Sequence, residues 1–332
     1  MKIAIVGAGT MGNVHAQAYS QMDEVSVIGV FDTDPLKRTV AEANGHAFFH
    51  SFEELLAAQP DVVDVCVPTD VHKKYVLQAA RAKKHIICEK PIARTLEDAI
   101  EMKNVCDEEG VSLYIGQVVR FFPEYAAAKA SVVRERIGNP GTSRLKRCGS
   151  YPNGHDDWYG NDARSGSVFL DVCIHDIDFM CWLYGDVERV YAKGFKNTPD
   201  GAYVHGSISL RFTSGAIAQI EGSWAYPSGF LTEFDIAGTS GILEFSSEQT
   251  KPLQTMFKET LSKEGQPRVQ VPSSPTNESP YAIELRHFLD CLRGDAQPIV
   301  PTDEAIYALR IALAARKSAE TNEVIEIGGH NE

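Results

Sequence analysis

Lys2-Ile3-Ala4-Ile5-Val6-Gly7-Ala8-Gly9-Thr10-Met11-Gly12 opens the chain. Ile3 to Val6 has strand character, and Asn13 to Gln21 is compatible with a helix. A second β-rich run, Val25 to Phe31, ends in Asp32. The order is strand, glycine-rich turn, helix, strand, acid, and each part has a job on a dinucleotide. Gly7 permits the tight turn, Gly9 lets backbone approach a pyrophosphate, and Gly12 lets the helix lie close on the strand. The helix N-terminus, beginning at Thr10 and Met11, offers free N–H groups and a positive dipole end to the phosphates. Asp32 lies where a carboxylate accepts the adenosine ribose hydroxyls, which favours NAD over NADP. The competing reading is a glycine-rich turn that only closes a βαβ unit.

Outward from that stretch, strands and helices alternate. Pro35 starts a helix toward Ala43, and Ser51-Phe52-Glu53-Glu54 is a capping box. Asp61 to Val67 reads as a buried strand stopped by Pro68, and Thr69 or Asp70 caps the helix to Lys83. His85 to Cys88 is a strand stopped by Glu89-Lys90-Pro91, Thr95 caps a helix to Gly110, and Val111 to Ile115 is the last strand. Strands separated by single helices imply parallel pairing with right-handed crossovers. The spacing predicts an α/β, doubly wound (Rossmann-type) domain over 1–118. The pattern then changes to an α+β domain over 119–332, on a mainly antiparallel sheet. Its parts are a helix from Pro123, a polar loop over Tyr151 to Ser165, an apolar helical run from Ser167 to Leu183, hairpin-like strands, and two closing helices from Tyr281 and Asp303.

Composition narrows the function classes. In 332 residues, 43% are hydrophobic and 23% charged, ordinary for a globular protein. A net charge of −13 argues against nucleic acid or an anionic membrane as the main partner. Only four apolar residues stand between Lys2 and Gly7, too few for a signal-peptide core, and no stretch approaches a membrane span. Seven scattered cysteines without a C-x-x-C pair read as reduced thiols in a cytoplasmic protein.

Ligands bind such sheets at the carboxyl ends of the strands. Pro68, Thr69 and His72, then Glu89 and Lys90, then Gln117 lie there. Lys90 directly follows an apolar strand, where its ammonium can donate to a substrate hydroxyl; the competing reading is a solvated lysine at a strand end. On a helix, Asp171, His175 and Asp178 fall on one face of a largely apolar segment. An Asp–His pair is a good proton acceptor near neutral pH. Competing readings are a helix-capping Asp with a core histidine, and a metal site; no metal is expected, because hydride transfer needs none. In the polar loop, His155, Asp156, Asp157 and Trp158 offer hydrogen-bonding groups beside an aromatic platform, as a polyol requires. An ordinary surface loop is the alternative. Arg120 and Tyr281 are further substrate candidates.

Together these residues resemble the glucose–fructose oxidoreductase/inositol dehydrogenase (Gfo/Idh/MocA) family of NAD(P)-dependent enzymes. The resemblance runs over nearly the whole chain. It is carried by Gly7 to Gly12, Val67-Pro68-Thr69 with His72, Glu89-Lys90-Pro91, Gly116-Gln117 with Arg120-Phe121, Asp171 with His175-Asp176, and Gly238 to Gly241. It departs from the family pattern at Ser165-Gly166-Ser167 and at Asp70. It implies that Lys90, Asp171 and His175 are the catalytic lysine and Asp/His pair. It also implies a homodimer or homotetramer through the open face of the second-domain sheet. The expectation is an NAD-dependent dehydrogenase that oxidises a secondary hydroxyl of a cyclitol or sugar. Rivals are an imine, diol or biliverdin-type reductase, and a non-catalytic dinucleotide-sensing regulator.

Overall fold

The structure, a computed structural model, describes residues 1–198, 201–248 and 278–328. The chain divides into two compact units. The first takes Met1–Phe121 and Ser274–Ile306, the second Phe122–Ser273 and Tyr307–Glu332.

The first unit runs β1 (Lys2–Val6), α1 (Thr10–Tyr19), β2 (Ser26–Phe31), α2 (Lys37–Ala43), β3 (Phe48–Phe49), α3 (Phe52–Ala57), β4 (Val62–Val65), α4 (His72–Arg81), β5 (His85–Glu89), α5 (Leu96–Glu109) and β6 (Leu113–Gly116). The strands pair in parallel in the order β3-β2-β1-β4-β5-β6. The order reverses between β1 and β4, which is the switch point where such sheets take ligands. β1 and β4 are buried throughout except Lys2, as a sheet covered on both faces demands. The expected caps are present. Ser51 Oγ accepts from the Glu54 amide at 3.0 Å, Thr95 Oγ1 accepts from the Asp98 amide at 3.1 Å, and Gly110 closes α5 in the left-handed region.

The second unit runs α6 (Pro123–Val133), β7 (Pro140–Ser150), α7 (Asp162–Ser165), α8 (Ile174–Tyr184), β8 (Val187–Lys196), β9 (Tyr203–Phe212), β10 (Ile217–Ser223), β11 (Ala225–Gly238) and β12 (Ile242–Ser246). After α9 (Pro280–Arg293), which lies in the first unit, α10 (Thr302–Thr321) crosses the division at Ile306/Tyr307, and β13 (Ile325–Glu326) follows. The second sheet is ordered β12-β11-β7-β10-β9-β8-β13. It is antiparallel except for the β7–β10 pair, which is parallel.

Two features add to or depart from the expectations. The first contact unit ends at Phe121, near the expected boundary at 118, but α9 also lies in it. Its apolar face docks there: Phe288 stacks on Tyr114 at 5.1 Å between ring centroids, and Tyr281 approaches His15 at 6.3 Å. The helix expected from Ser167 does not run as one α-helix. Ser167 stands at φ +65, Phe169–Cys173 form a π turn, and regular α-helix begins at Ile174. Among the described residues, no helix is long and apolar enough to cross a membrane.

Candidate active site

The carboxyl ends of β1, β2, β4, β5 and β6 bring the glycine turn, Asp32, Val67-Pro68-Thr69, Glu89-Lys90 and Gln117 to one edge of the first sheet. Gly7 stands at φ +101, and a Cβ there would lie 2.3 Å from Cys66 O. A Cβ on Gly12 would lie 1.9 Å from Gly7 O, so both positions exclude any side chain. Gly9 differs: a Cβ there would meet nothing within 4 Å. Its bareness leaves open space against the N-terminus of α1, whose N-cap, Gly9, supplies no side-chain cap and whose first turn carries no acid. That is the cradle a pyrophosphate fits. Asp32 Oδ2 accepts the Ala8 amide at 2.7 Å and Oδ1 accepts the Asp34 amide at 2.8 Å. The acid therefore braces the glycine turn while lying at the end of β2. These features fit a nicotinamide dinucleotide, which Gly7, Gly9, Thr10, Met11, Gly12 and Asp32 would hold.

Gln117 follows β6 and is 1% exposed. Its side-chain oxygen and nitrogen are both buried without a hydrogen-bond partner among the described residues. A buried, unpaired amide costs about 1–3 kcal/mol. Gln117→Leu will therefore raise the melting temperature of the free protein. If the amide serves the cofactor, the same change will weaken NAD binding by roughly tenfold. Thermal melts and an NAD titration read the two effects, and unchanged NAD affinity would remove Gln117 from the cofactor site.

His72 has a different place from the one its sequence position implies. It is 1% exposed, with Nε2 2.9 Å from Val67 O and Nδ1 3.0 Å from Pro91 O. Burial pushes its pKa down, against the pull of these carbonyls. The ring thus staples the Val67 turn to the turn after β5 and has no edge left for a cofactor. Lys90 is half-buried, and its peptide bond to Pro91 is cis.

Arg120 and Tyr281 are likewise occupied inside the first unit. Arg120 is 2% exposed, and its guanidinium donates to Ile299 O at 2.9 Å and to Glu304 at 2.5 Å. Tyr281 is 6% exposed on the inner face of α9. Both side chains are thus engaged in packing within the first unit.

The second unit presents Asp171 and His175. Of residues 165–180, all described, these two alone escape burial. The π turn produces this. A Cβ on Gly206 would lie 2.9 Å from the Phe169 ring, and one on Gly222 would lie 2.4 Å from Cys173 Sγ. The bare backbones of β9 and β10 thus let Phe169, Leu170, Val172 and Cys173 sink against the sheet and turn Asp171 outward. Asp178, expected on the same face, is instead fully buried, although it follows His175 by three residues within regular α8. Asp176 also points inward. It takes a two-pronged ion pair from Arg147, at 2.8 and 3.1 Å, and Arg147 further donates to Tyr125 OH at 2.9 Å. Burial opposes the Arg147 charge, but Asp176 and Tyr125 raise its pKa above the usual arginine value. This pair anchors α8 to β7 and α6.

In the polar loop, Trp158 is half-buried with its ring 4.1 Å from that of Tyr159, and Tyr159 lies edge-on to Trp224 at 5.9 Å. Gly154 makes room for it, since a Cβ there would fall 2.4 Å from the indole. An aromatic platform is therefore built. The side chain of His155 lies outside the described residues. Asp157 accepts from Tyr151 OH at 2.9 Å, and Asp162 binds Arg316 at 2.5 Å, so both carboxylates brace the loop. A cavity of about 500 Å³ lies over the second sheet, lined by Arg144, Lys146, Glu221, Glu233 and Asp235 among others, and holds none of the candidate residues.

A Rossmann unit with a bare-glycine cradle and a β2 acid, followed by a mixed-sheet unit, defines a dinucleotide-dependent oxidoreductase. Residues 1–117 match the family described as "Oxidoreductase family, NAD-binding Rossmann fold", and residues 125–244 match the GFO/IDH/MocA C-terminal domain. The 1,5-anhydro-D-fructose reductase of Ensifer adhaerens is 30% identical over 336 residues, covering 97% of each chain. The myo-inositol 2-dehydrogenase of Thermotoga maritima is 26% identical, covering 98% of each. The crystal structure of GenD2 from gentamicin A biosynthesis, in complex with NAD, superposes with a TM-score of 0.87 at 23% identity, over 99% of this chain and 97% of that one. The chain belongs to the GFO/IDH/MocA oxidoreductase family, and residues 1–117 match that family's NAD-binding domain.

We propose that Asp32 sets the cofactor preference within this frame. Placing the 2′-phosphate of NADP beside its carboxylate will cost roughly a hundredfold in kcat/KM relative to NAD. Comparing kcat/KM for the two cofactors checks this, and equal values or a preference for NADP would sink it.

Proposed function

We propose that the protein is an NAD-dependent dehydrogenase that oxidises a secondary hydroxyl of a cyclitol or sugar to a ketone. The single observation that carries this reading is the exposure of Asp171 and His175 alone along an otherwise buried segment. A lone stripe of one carboxylate and one imidazole is what alcohol oxidation requires of a protein. His175 takes the hydroxyl proton, and Asp171 fixes the tautomer and supports the charge that forms on the ring. Lys90, fixed at the end of β5, donates to the oxygen as negative charge develops on it. Bound NAD supplies the hydride acceptor. The glycine cradle and Asp32 orient it, and Trp158 offers an apolar face to the C–H surface of a ring. Relatives named for inositol and anhydro-sugar substrates support the substrate class.

The relative named as a reductase favours a second reading, in which the same residues run toward the alcohol. His175 then starts protonated and gives its proton to the forming alkoxide. The test is a panel of inositols, hexoses and anhydro-sugars with NAD, and the matching ketones with NADH, followed by nicotinamide absorbance. Turnover in either direction on a polyol supports the proposal. No turnover on any of them, with NAD still bound, favours a dinucleotide-sensing regulator.

A further inference from the structure

His15 lies on the buried side of α1 and is fully inaccessible. Two acids face it from neighbouring strands. Nδ1 is 2.8 Å from Asp64 Oδ2 in β4, and Tyr19 OH donates to the same oxygen at 2.9 Å. Nε2 is 3.2 Å from Glu89 Oε1 at the end of β5, without hydrogen-bond alignment, so this is a contact of charges. The second oxygen of Glu89 accepts the Lys90 amide at 3.1 Å. Cys66 Sγ lies 3.3 Å from Nδ1, and burial pushes its thiol pKa up, leaving it neutral.

Asp64 and Glu89 are 0% and 6% exposed. Two carboxylates this deep need a counter-charge, because an uncompensated buried ion costs several kcal/mol. His15 is the titratable base that touches both. Burial lowers its pKa, but the Asp64 carboxylate, by charge and by hydrogen bond, raises it, and the balance falls well above the ordinary value. A bound metal is a poorer account of the same atoms. The Nδ1–Oδ2 separation of 2.8 Å is a hydrogen-bond length, shorter than the edge of about 3.3 Å between ligands that each lie near 2 Å from zinc.

We propose that His15 is a positioning residue for Lys90: as the cation between Asp64 and Glu89, it fixes the carboxylate that holds the Lys90 amide. The chain of contacts runs Asp64, His15, Glu89, Lys90 N–H, and lies wholly within the first unit. Its importance for turnover rests on the catalytic reading of Lys90; its existence does not.

Two readouts test it without turnover. In ¹⁵N-histidine NMR of the full chain with NAD bound, His15 will keep both ring protons well above pH 6.5, the ordinary midpoint. A ring that loses its proton near that pH overturns the proposal, as does a stoichiometric metal in the protein as purified. The second readout is amide exchange. In His15→Gln, exchange at Lys90 will quicken by about tenfold or more, while Ile86, Ile87 and Cys88 in the strand that precedes it stay within about twofold. Equal acceleration along β5 indicates a merely structural histidine and overturns the proposal, as does no change at Lys90. Should His15→Gln fail to fold, Glu89→Gln removes the charge at constant size and must show the same local loss.

Stability gives the sign of the charge. A raised folded-state pKa adds stability that is complete below about pH 6.5 and is lost as pH rises through the folded value. Tyr19, Asp64, Cys66, Glu89 and Tyr281 face the ring, and Glu284 acts on Tyr19. The alkaline decline in stability will be shallower in His15→Gln. Lys90→Met turnover judges the catalytic reading separately. If that variant stays active while Lys90 exchange responds to His15, the tie is real and the catalytic role fails.

Discussion

His175→Asn will lower the oxidation rate by roughly 10²- to 10⁴-fold, the range for removing a general base. The substitution keeps a polar side chain of similar reach at the start of α8 but leaves nothing to accept the hydroxyl proton. The rise of rate with pH that such a base imposes will disappear, and the midpoint lost belongs to the Asp171/His175 pair rather than to one residue. Asp171→Asn will lower the rate too, because the imidazole loses the carboxylate that fixes its tautomer and supports its charge. Three measurements on the same proteins separate the competing roles. A core histidine predicts a lower melting temperature with little change in rate per folded molecule. A metal ligand predicts activity lost to chelator and restored by a divalent ion. A general base predicts loss of rate and of its pH dependence at an unchanged melting temperature. A folded, active His175→Asn protein with its pH dependence intact would take His175 out of the mechanism.

The parts of this molecule that were legible in the sequence are those fixed by short-range physics. The turn at Gly7 to Gly12 is set by backbone sterics within a few residues. The end of β5 is set by an apolar run meeting Glu89-Lys90-Pro91. The caps at Ser51 and Thr95 need only residues three positions away. The exposure of Asp171 with His175 was legible as a polar pair on an apolar helix. The π turn that sets their register was not, because it depends on Gly206 and Gly222, supplied by strands that follow it in the chain. The same holds for the charges. Arg120 gave no local sign of its pairing with Glu304, which lies in a distant part of the chain. Arg147 gave no local sign of its pairing with Asp176. His15 and Asp64 are 49 positions apart and meet only when β4 pairs with β1. One signal could have found that cluster. Asp64 interrupts Val62-Val63-Asp64-Val65, and a carboxylate in a strand buried on both faces requires a partner.

The second large effect concerns Lys90, and it separates binding from chemistry. Lys90→Met keeps the length and most of the apolar stem but removes the charge and the donor. The substitution lies away from the glycine turn: Gly7, Gly9 and Gly12 join β1 to α1 and Asp32 follows β2, whereas Lys90 follows β5. NAD affinity should therefore stay close to wild type. The rate should not. An ammonium placed against a forming alkoxide stabilises charge that is small in the bound alcohol and large in the transition state, so its loss falls on kcat rather than on KM. The expected drop is roughly 10²-fold or more, the scale for removing one such donor. Lys90→Arg provides the contrast. It restores charge but carries a planar fork in place of a compact ammonium, so it should recover only part of the rate. Steady-state kinetics on the three proteins, with NAD affinity measured separately, decide the matter. A near wild-type kcat in Lys90→Met makes Lys90 a solvated lysine at a strand end. Loss of NAD affinity with kcat unchanged would move it to the cofactor instead.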